Sequence, residues 1–115
     1  MTEVPSEYLF SYGTLREEKV QRAVFSKAVS GKPDAIIGYE LVPVMISSRE
    51  AIAISGKAQH TTLVPAKGES RPIEGVVFHI AASDLAAADR YESAEYHRIK
   101  VKLRSGIAAW VYVRV

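Results

Sequence analysis

The chain has no cysteine among its 115 residues, and this absence removes three kinds of function at once. A protein without thiols has no disulfide framework, no thiolate metal site and no cysteine nucleophile. Long hydrophobic runs are also missing, because the longest spans residues 107–113 whereas a transmembrane helix needs roughly 20 residues. Residues 1–7 carry two glutamates and no basic, apolar leader, so no secretory signal is expected. We therefore predict a cytoplasmic protein.

Charge of a single sign is scarce as well, since 15 Lys and Arg against 13 Asp and Glu leave a formal charge of +2. Affinity built mainly on phosphate neutralisation needs a larger excess, so the bulk charge indicates no nucleic-acid partner. What the chain does have is an ordinary globular composition, with 48% hydrophobic residues. At this length we expect one domain over residues 1–115 that folds without a metal or a disulfide.

Four apolar segments have the composition of strands and end at a turn residue or a breaker. They lie at residues 8–12, at 35–46 as two strands or one bent strand, near 62–64 and at 73–80. The remainder of residues 47–71 mixes small, polar and basic side chains, and it is predicted to be mainly loop.

Two segments carry helical signals. The first helix is predicted to start at about Leu15, within a Thr-x-x-Glu capping box at residues 14–17, and to end near Gly31, where a left-handed cap residue and a proline follow each other closely. In the second, Ser83 offers an N-cap to a helix that runs to about Tyr91. Each helix therefore follows a predicted strand.

The end of the chain predicts a β-hairpin. Residues 97–104 alternate between mainly apolar and basic side chains, which is the period of a strand with one face in water. A two-residue turn at 105–106 would place Val101 opposite Trp110. The last strand, at 107–115, is apolar on both sides and is therefore expected inside a sheet.

The turn at residues 12–16 is a candidate binding site, because it joins a predicted strand to a predicted helix. The first backbone N–H groups of a helix have no partner within it and suit a carboxylate or a phosphate. Gly13 would let a ligand approach the backbone closely. A capped helix start without a ligand is the commoner occurrence of such a turn. No Walker A or dinucleotide glycine pattern occurs, so a nucleotide site is poorly supported.

A second candidate lies in residues 89–98, where carboxylates and tyrosines gather between a helix and a strand. Glu92 is expected near the helix C-terminus, where the macrodipole disfavours negative charge and raises the pKa of a carboxylate. A raised pKa suits a general base that works near neutral pH. Asp89 and Glu95 are rival carboxylates, and the periodicity does not choose among the three. Ordinary surface charge at a helix end is the simpler interpretation.

The remaining charged signals are weak. Three histidines are scattered without a metal-ligand spacing, so no metal site is predicted. Residues 98–104 place four basic side chains on one strand face, which could contact nucleic acid. A solvated sheet face explains this stripe more simply.

Several stretches, taken in order, resemble the γ-glutamylcyclotransferase-like family, also called AIG2-like. They are the segments at residues 9–16 (LFSYGTLR), 38–41, 74–78, 89–92, 96–98 and 109–113. The resemblance covers nearly the whole chain. It implies an α+β fold with a mixed, mainly antiparallel sheet that is partly closed into a barrel and flanked by helices. It also implies a cavity between the first turn and the acidic segment.

The resemblance assigns roles to the two candidate segments. The substrate-binding turn would consist of Tyr12, Gly13, Thr14 and Leu15. Glu92 would be the catalytic base, and Tyr96 and Arg98 would be supporting groups. Ser93 stands where members of the family commonly have Gly, which alters the backbone beside Glu92.

The implied reaction is an intramolecular cyclisation without cofactor or metal. The α-amine of a small γ-glutamyl compound attacks its own side-chain amide, forming 5-oxoproline and releasing an amine or an amino acid. Because the nucleophile is tethered to the amide, the effective molarity can be of order 10⁵ M or more. The alternative on the same fold is a non-catalytic or differently catalytic binder of a small anionic ligand. A third hypothesis is a nucleic-acid-binding barrel that uses the stripe at residues 98–104.

Overall fold

The computed structural model describes residues 4–92 and 95–114, which contain seven strands and three α-helices. In chain order these are β1 (Glu7–Ser11), α1 (Glu18–Phe25), β2 (Gly31–Ile36), β3 (Tyr39–Met45), α2 (Arg49–Ser55), β4 (Gln59–Pro65), β5 (Ile73–Ile80), α3 (Ala82–Glu92), β6 (Tyr96–Lys102) and β7 (Ala108–Arg114). A 3-10 helix at Thr14–Arg16 precedes α1. No helix in the described ranges is long and apolar enough to cross a membrane.

Five strands form one sheet in the order β2-β5-β1-β7-β6, and β3 and β4 form a separate hairpin. The β1–β7 pairing, with Leu9 opposite Trp110, is parallel, whereas the other pairings are antiparallel. The predicted α+β class and the mixed, mainly antiparallel sheet are therefore confirmed. Strand β7 lies between β1 and β6, as its two apolar sides predict.

The larger sheet is not closed into the partial barrel that the resemblance implied. Within the described residues, no ladder joins its edge strands β2 and β6. Instead, the loop after β6 reaches β2, where the N–H of Arg104 donates to the carbonyl of Ala35 at 2.8 Å. The hydroxyl of Ser105 donates to the carboxylate of Asp34 nearby. Loop contacts thus replace strand pairing at this end of the sheet.

Each face of the sheet has its own core. Leu9, with 0% exposure, belongs to a core that the three helices cover. Phe10, with 1% exposure, points the opposite way into a core that the β3–β4 hairpin covers. Because successive residues of a strand face opposite sides, β1 contributes to both layers and ends directly at the turn that follows it.

The first helix is shorter than predicted. It begins at Glu18 and ends at Phe25, where Ser26 adopts a left-handed conformation with φ of 63°. Gly31, the predicted end, lies in β2, where an added Cβ would come within 2.3 Å of Val76. The predicted capping box does not form, because the Thr14 hydroxyl is hydrogen-bonded to another side chain, described below.

Residues 47–71 contain more structure than predicted, since α2 and all of β4 lie there. Ser48 caps α2, and its hydroxyl accepts from the N–H of Ala51 at 3.3 Å. The helix that follows this cap is short and consists largely of small and aliphatic residues. It was not predicted because it contains no long periodic run. Ser83 was predicted to be the N-cap of α3, and this is wrong. The helix begins at Ala82, so Ser83 lies inside its first turn.

The terminal hairpin has a different register from the predicted one. A three-residue loop replaces the two-residue turn, and Leu103 N–H donates to the carbonyl of Ile107 at 2.8 Å. Gly106 adopts φ of 97° within this loop. The one-residue shift places Trp110 opposite Lys100 instead of Val101. Since paired residues share a face, Trp110 lies on the basic side of β6 and not among the alternating apolar residues.

Replacing Gly75 by Ala is expected to destabilise the protein by about 3 kcal/mol, because β5 approaches β1 too closely for a Cβ. The added atom would lie 2.4 Å from the Ser11 carbonyl oxygen and 2.6 Å from Phe10 Cζ. The matched control is Gly68→Ala, where nothing lies within 4 Å and a change of about 0.5 kcal/mol or less is expected. Urea denaturation of both variants is the measurement, and equal losses would contradict the close approach.

Candidate functional site

A pocket of about 490 Å³ opens where β1 runs into its turn. Its lining comes from residues 10–17, which include the turn, from Glu92 and Tyr96, from Lys57 and residues 59–61 around the start of β4, and from Tyr112 of β7. The two segments singled out in the sequence, although some 80 residues apart, therefore meet around one space.

The residues of the turn line this space, and two of their backbone carbonyl groups are bound by a side chain. The guanidinium of Arg16 donates to the Gly13 carbonyl at 3.1 Å and to the Tyr12 carbonyl at 3.0 Å. Among the described residues, none accepts a hydrogen bond from the N–H of Thr14 or Leu15. These are the first residues of the 3-10 helix, whose N–H groups have no partner within the helix.

Gly13 contributes space and not an unusual conformation. Its φ of −129° is available to any residue. A Cβ built at this position has no neighbour within 4 Å, so the glycine leaves the pocket side of the turn open. A ligand can therefore come within contact distance of the backbone here.

Two side chains anchor the turn to the rest of the fold. The hydroxyl of Tyr12 donates to the backbone carbonyl of Tyr112, which lies in β7. The hydroxyl of Thr14 shares a hydrogen bond of 2.9 Å with that of Tyr91, which lies in α3. Burial raises the pKa of Tyr12, so its hydroxyl remains a donor at neutral pH. The turn is thus tied to the helix that carries the acidic segment.

Glu92 is the last residue of α3, and its partly buried side chain lines the pocket. Burial raises the pKa of this carboxyl group from 4.5 to about 7. No described residue donates a hydrogen bond to the carboxylate, which leaves its oxygens available to a ligand. The pKa is shifted in the expected direction, and burial of the carboxyl group is the cause.

Asp89 differs from Glu92 because it is already bound. Its carboxylate accepts from the Arg98 guanidinium at 2.8 and 3.1 Å and from the Tyr112 hydroxyl at 2.7 Å. Burial raises the pKa of Asp89, but the hydrogen bonds from Arg98 and Tyr112 outweigh this effect and leave the pKa below its usual value. Asp89 therefore stays ionised and occupied.

Glu95 is occupied as well. The N–H and the hydroxyl of Ser47 both donate to its carboxylate at 2.7 Å, and the guanidinium of Arg114 lies 3.5 Å away. The hydrogen bonds from Ser47 hold the pKa of Glu95 below its usual value. Of the three carboxylates that the sequence could not separate, Glu92 alone combines a raised pKa with a place in the pocket lining.

The two predicted supporting residues have different positions. Tyr96 lines the pocket, and its hydroxyl donates to the Thr61 carbonyl at 3.0 Å. Burial, followed by the nearby Glu92 charge, raises the pKa of Tyr96 to about 12. Arg98 is not in the pocket lining. It binds Asp89 and lies 4.3 Å from the centre of the Trp110 ring, so it joins β6 to α3. Ser93 lies outside the described residues.

The third wall was missed in the sequence because it comes from the segment predicted to be loop. Lys57 and His60 line the pocket there. His60 Nε2 lies 3.1 Å from the Ser55 hydroxyl, and burial lowers the pKa of the imidazole, which favours its neutral form. Lys57 Nζ is 3.0 Å from a carboxylate oxygen of Glu17, also a lining residue. No spacing in the sequence connects these residues.

The raised pKa of Glu92 predicts a pH-dependent cost to stability. Between the usual value of 4.5 and about 7, the folded protein retains a proton that the unfolded chain has lost, so the free energy of unfolding falls as pH rises. Glu92→Gln removes this dependence, and we expect it to gain about 2 kcal/mol relative to the parent protein between pH 5 and pH 8. Urea denaturation at the two pH values measures the gain, whereas parallel pH profiles would contradict the shift.

The fold is shared with several solved structures. An Arabidopsis thaliana protein has a TM-score of 0.73 at 17% identity, with 100% of this chain and 66% of that chain covered. A structure named gamma-glutamyl cyclotransferase has a TM-score of 0.71 at 19% identity, covering 95% and 66%. An uncharacterized protein from Pyrococcus horikoshii has a TM-score of 0.63 at 20% identity, covering 95% and 78%. The molecule is thus an α+β protein of this fold class.

Sequence comparison then identifies the family. Residues 9–114 match the model of the family described as gamma-glutamyl cyclotransferase, AIG2-like, and the chain belongs to this family. No curated protein matches the chain in sequence. The chain spans about two thirds of the length of the first structural relative. At identities of 17 to 20%, the structural likeness establishes the fold and not the activity.

Proposed function

We propose that the protein cyclises a small γ-glutamyl compound to 5-oxoproline and releases an amine or an amino acid. One observation carries this proposal: the Glu92 carboxyl group, with a pKa of about 7, lines the same pocket as the open N–H groups of the turn. A proton carrier and a set of anion donors are the two devices that this reaction requires. Membership of the family supports the same chemistry.

The reaction forms one bond and breaks one bond. The α-nitrogen of the substrate attacks the side-chain amide carbon, and the C–N bond to the leaving amine breaks as the five-membered ring closes. The α-ammonium group loses two protons, and the departing amine gains two. No oxidant, water or external nucleophile enters the balance.

Glu92 has the proton affinity for these transfers. With a pKa of about 7, comparable populations of the acid and the carboxylate exist at neutral pH. In this proposal the carboxylate takes a proton from the α-ammonium, and the resulting acid returns a proton to the leaving nitrogen. General acid and base catalysis is most efficient when the pKa lies near the working pH.

The turn supplies the donors. The N–H groups of Thr14 and Leu15 bind either the α-carboxylate of the substrate or the oxyanion that develops on the amide oxygen. Arg16 positions them by holding the carbonyls of Tyr12 and Gly13. Donors that are already fixed need no reorganisation during the reaction, and this lowers the barrier.

Binding of a small anion without turnover is the second candidate. The open N–H groups of Thr14 and Leu15 favour it, because they suit a carboxylate whether or not Glu92 acts as a base. The nucleic-acid hypothesis has less support, since two members of the basic stripe are engaged elsewhere. Arg98 pairs with Asp89 at 2.8 Å and Arg104 with Glu74 at 3.2 Å.

The test is an incubation of the purified protein with a panel of γ-glutamyl dipeptides and γ-glutamyl amines, followed by mass-spectrometric detection of 5-oxoproline. Formation of 5-oxoproline from at least one compound above the rate without protein supports the proposal. Absence of product across the panel, together with calorimetric binding of the same compounds, would leave the second candidate.

We also propose a cytoplasmic location, in keeping with the absence of cysteine. A reducing compartment places no demand on disulfides, and the fold has none to form. Cell fractionation of the full-length protein tests this location.

A further inference from the structure

Three residues of the pocket lining have cationic or basic side chains, namely Arg16, Lys57 and His60, and they differ in whether a positive charge is available to bind a ligand. The Arg16 guanidinium is held by two backbone carbonyls of the turn, at 3.0 and 3.1 Å. His60 is favoured in its neutral form, because burial lowers its pKa. Lys57, in contrast, contacts another side chain through its ammonium group, at the Glu17 carboxylate 3.0 Å away.

The Lys57–Glu17 ion pair can open readily. The Lys57 side chain is 55% exposed and that of Glu17 33%, so water competes with the interaction on both sides. Exposed ion pairs of this kind contribute little to stability, because water screens both charges. A substrate carboxylate that enters the pocket can therefore displace Glu17 at little cost and take over the same ammonium group.

Lys57 also lies on a different wall from the groups assigned to the γ-glutamyl moiety. It follows α2 and precedes β4, whereas the open N–H groups lie in the turn after β1. In the arrangement in which the turn binds the α-carboxylate, the α-amine and the amide lie beside Glu92, and the leaving group extends away from the turn. Lys57, together with residues 59–61, forms a wall of the lining that can receive it.

We propose that Lys57 determines leaving-group specificity by binding a carboxylate on the departing amino acid, and that Glu17 occupies Lys57 when no substrate is bound. This inference rests on the proposed cyclisation. It assigns the substrates to γ-glutamyl α-amino acids in preference to γ-glutamyl amines of the same size. Glu17 acts as an internal competitor, so its charge weakens the preference that Lys57 creates.

The test compares γ-glutamylalanine with γ-glutamylethylamine, which differ by the one carboxylate in question. The discrimination ratio is kcat/KM for the first compound divided by kcat/KM for the second. Lys57→Met is expected to lower this ratio about tenfold, because a charge-assisted hydrogen bond to the dipeptide is lost. Only kcat/KM for γ-glutamylalanine should fall, and kcat/KM for γ-glutamylethylamine should stay the same. Lys57→Arg should keep the ratio within about twofold, and Glu17→Gln should raise it about threefold by releasing Lys57.

Lys19→Met is the matched control. Lys19 also faces Glu17, at 3.9 Å, and its side chain is 61% exposed, but it does not line the pocket. The substitution removes the same charge from beside the same carboxylate, but because Lys19 lies outside the pocket lining it should leave the ratio unchanged. An equal fall in Lys57→Met and Lys19→Met would assign the effect to the general field of the protein and overturn the proposal.

Calorimetric binding of both compounds to Glu92→Gln, with and without Lys57→Met, separates this inference from the proposed function. If the protein forms 5-oxoproline but the discrimination ratio does not change in Lys57→Met, the inference is overturned and the proposed function is retained. Binding that prefers the dipeptide through Lys57, without turnover in the parent protein, would support the specificity and remove the cyclisation. Absence of both turnover and binding would overturn both.

Discussion

Replacing Glu92 by Gln is expected to lower kcat for 5-oxoproline formation about 1000-fold while the protein remains folded. The amide has nearly the same shape as the carboxyl group, but it neither accepts the proton of the α-ammonium nor returns one to the leaving nitrogen. The loss should appear in kcat and not in KM, because the N–H groups proposed to bind the substrate are untouched. Steady-state kinetics of 5-oxoproline release is the measurement, with circular dichroism to verify folding.

The matched control is Glu95→Gln, which makes the same chemical change three residues further along. Glu95 is bound by Ser47 and faces Arg114, and it is absent from the pocket lining. We expect less than about a fivefold loss of kcat, since no group at the reacting atoms changes. If Glu95→Gln removed activity and Glu92→Gln did not, the assignment of the base would be wrong.

The pH dependence offers an independent check on the same residue. If Glu92 acts first as a base, kcat/KM of the parent protein should rise with pH through about 7, as the carboxyl group ionises. A profile that is flat between pH 6 and pH 8 would mean that this group does not control the reaction.

Truncation of Phe10 to Ala is expected to cost about 4 kcal/mol of stability, the largest structural effect we predict. Phe10 is 1% exposed and lies in β1, the middle strand of the five-stranded sheet. The ring fills the core under the β3–β4 hairpin and also contributes to the pocket lining. Its removal leaves a cavity that neighbouring strands, fixed by their ladders on both sides, cannot close.

Tyr8→Ala in the same strand serves as the control. Tyr8 is 38% exposed and stacks on His79 with ring centres 4.4 Å apart, outside both cores. Its loss should cost about 1 kcal/mol or less. Urea denaturation of both variants is the measurement, and comparable losses would mean that Phe10 does not fill the core more than Tyr8 does.

Local patterns predicted most strands but not how strands meet. Composition correctly placed β5, and the period of two correctly placed β6, because both signals depend on near neighbours in the chain. The register of the terminal hairpin was wrong by one residue, since loop length depends on contacts that the pattern does not contain. Here the loop is held against β2 by Asp34, which accepts from the hydroxyl of Ser105. This contact joins residues 71 positions apart.

In the candidate site, too, some features could be predicted from the sequence, and others depend on tertiary contacts. The resemblance predicted roles for Glu92 and the turn, whereas periodicity could not separate Glu92 from Asp89 and Glu95. The distinction depends on partners from elsewhere in the chain. Ser47 holds Glu95 from 48 positions away, and Tyr112 holds Asp89 from 23 positions away. The sequence did not predict Lys57 as a pocket residue, because the segment that carries it has the composition of a loop.

The amino-acid sequence by itself determined the absence of thiol chemistry, the strand-rich composition and, through ordered short motifs, the family. The tertiary structure alone decided which carboxyl group loses its water and which retains ionic partners. A pKa reflects every group within a few ångströms, and the groups around Glu92 come together only when strands and helices far apart in the chain pack against each other.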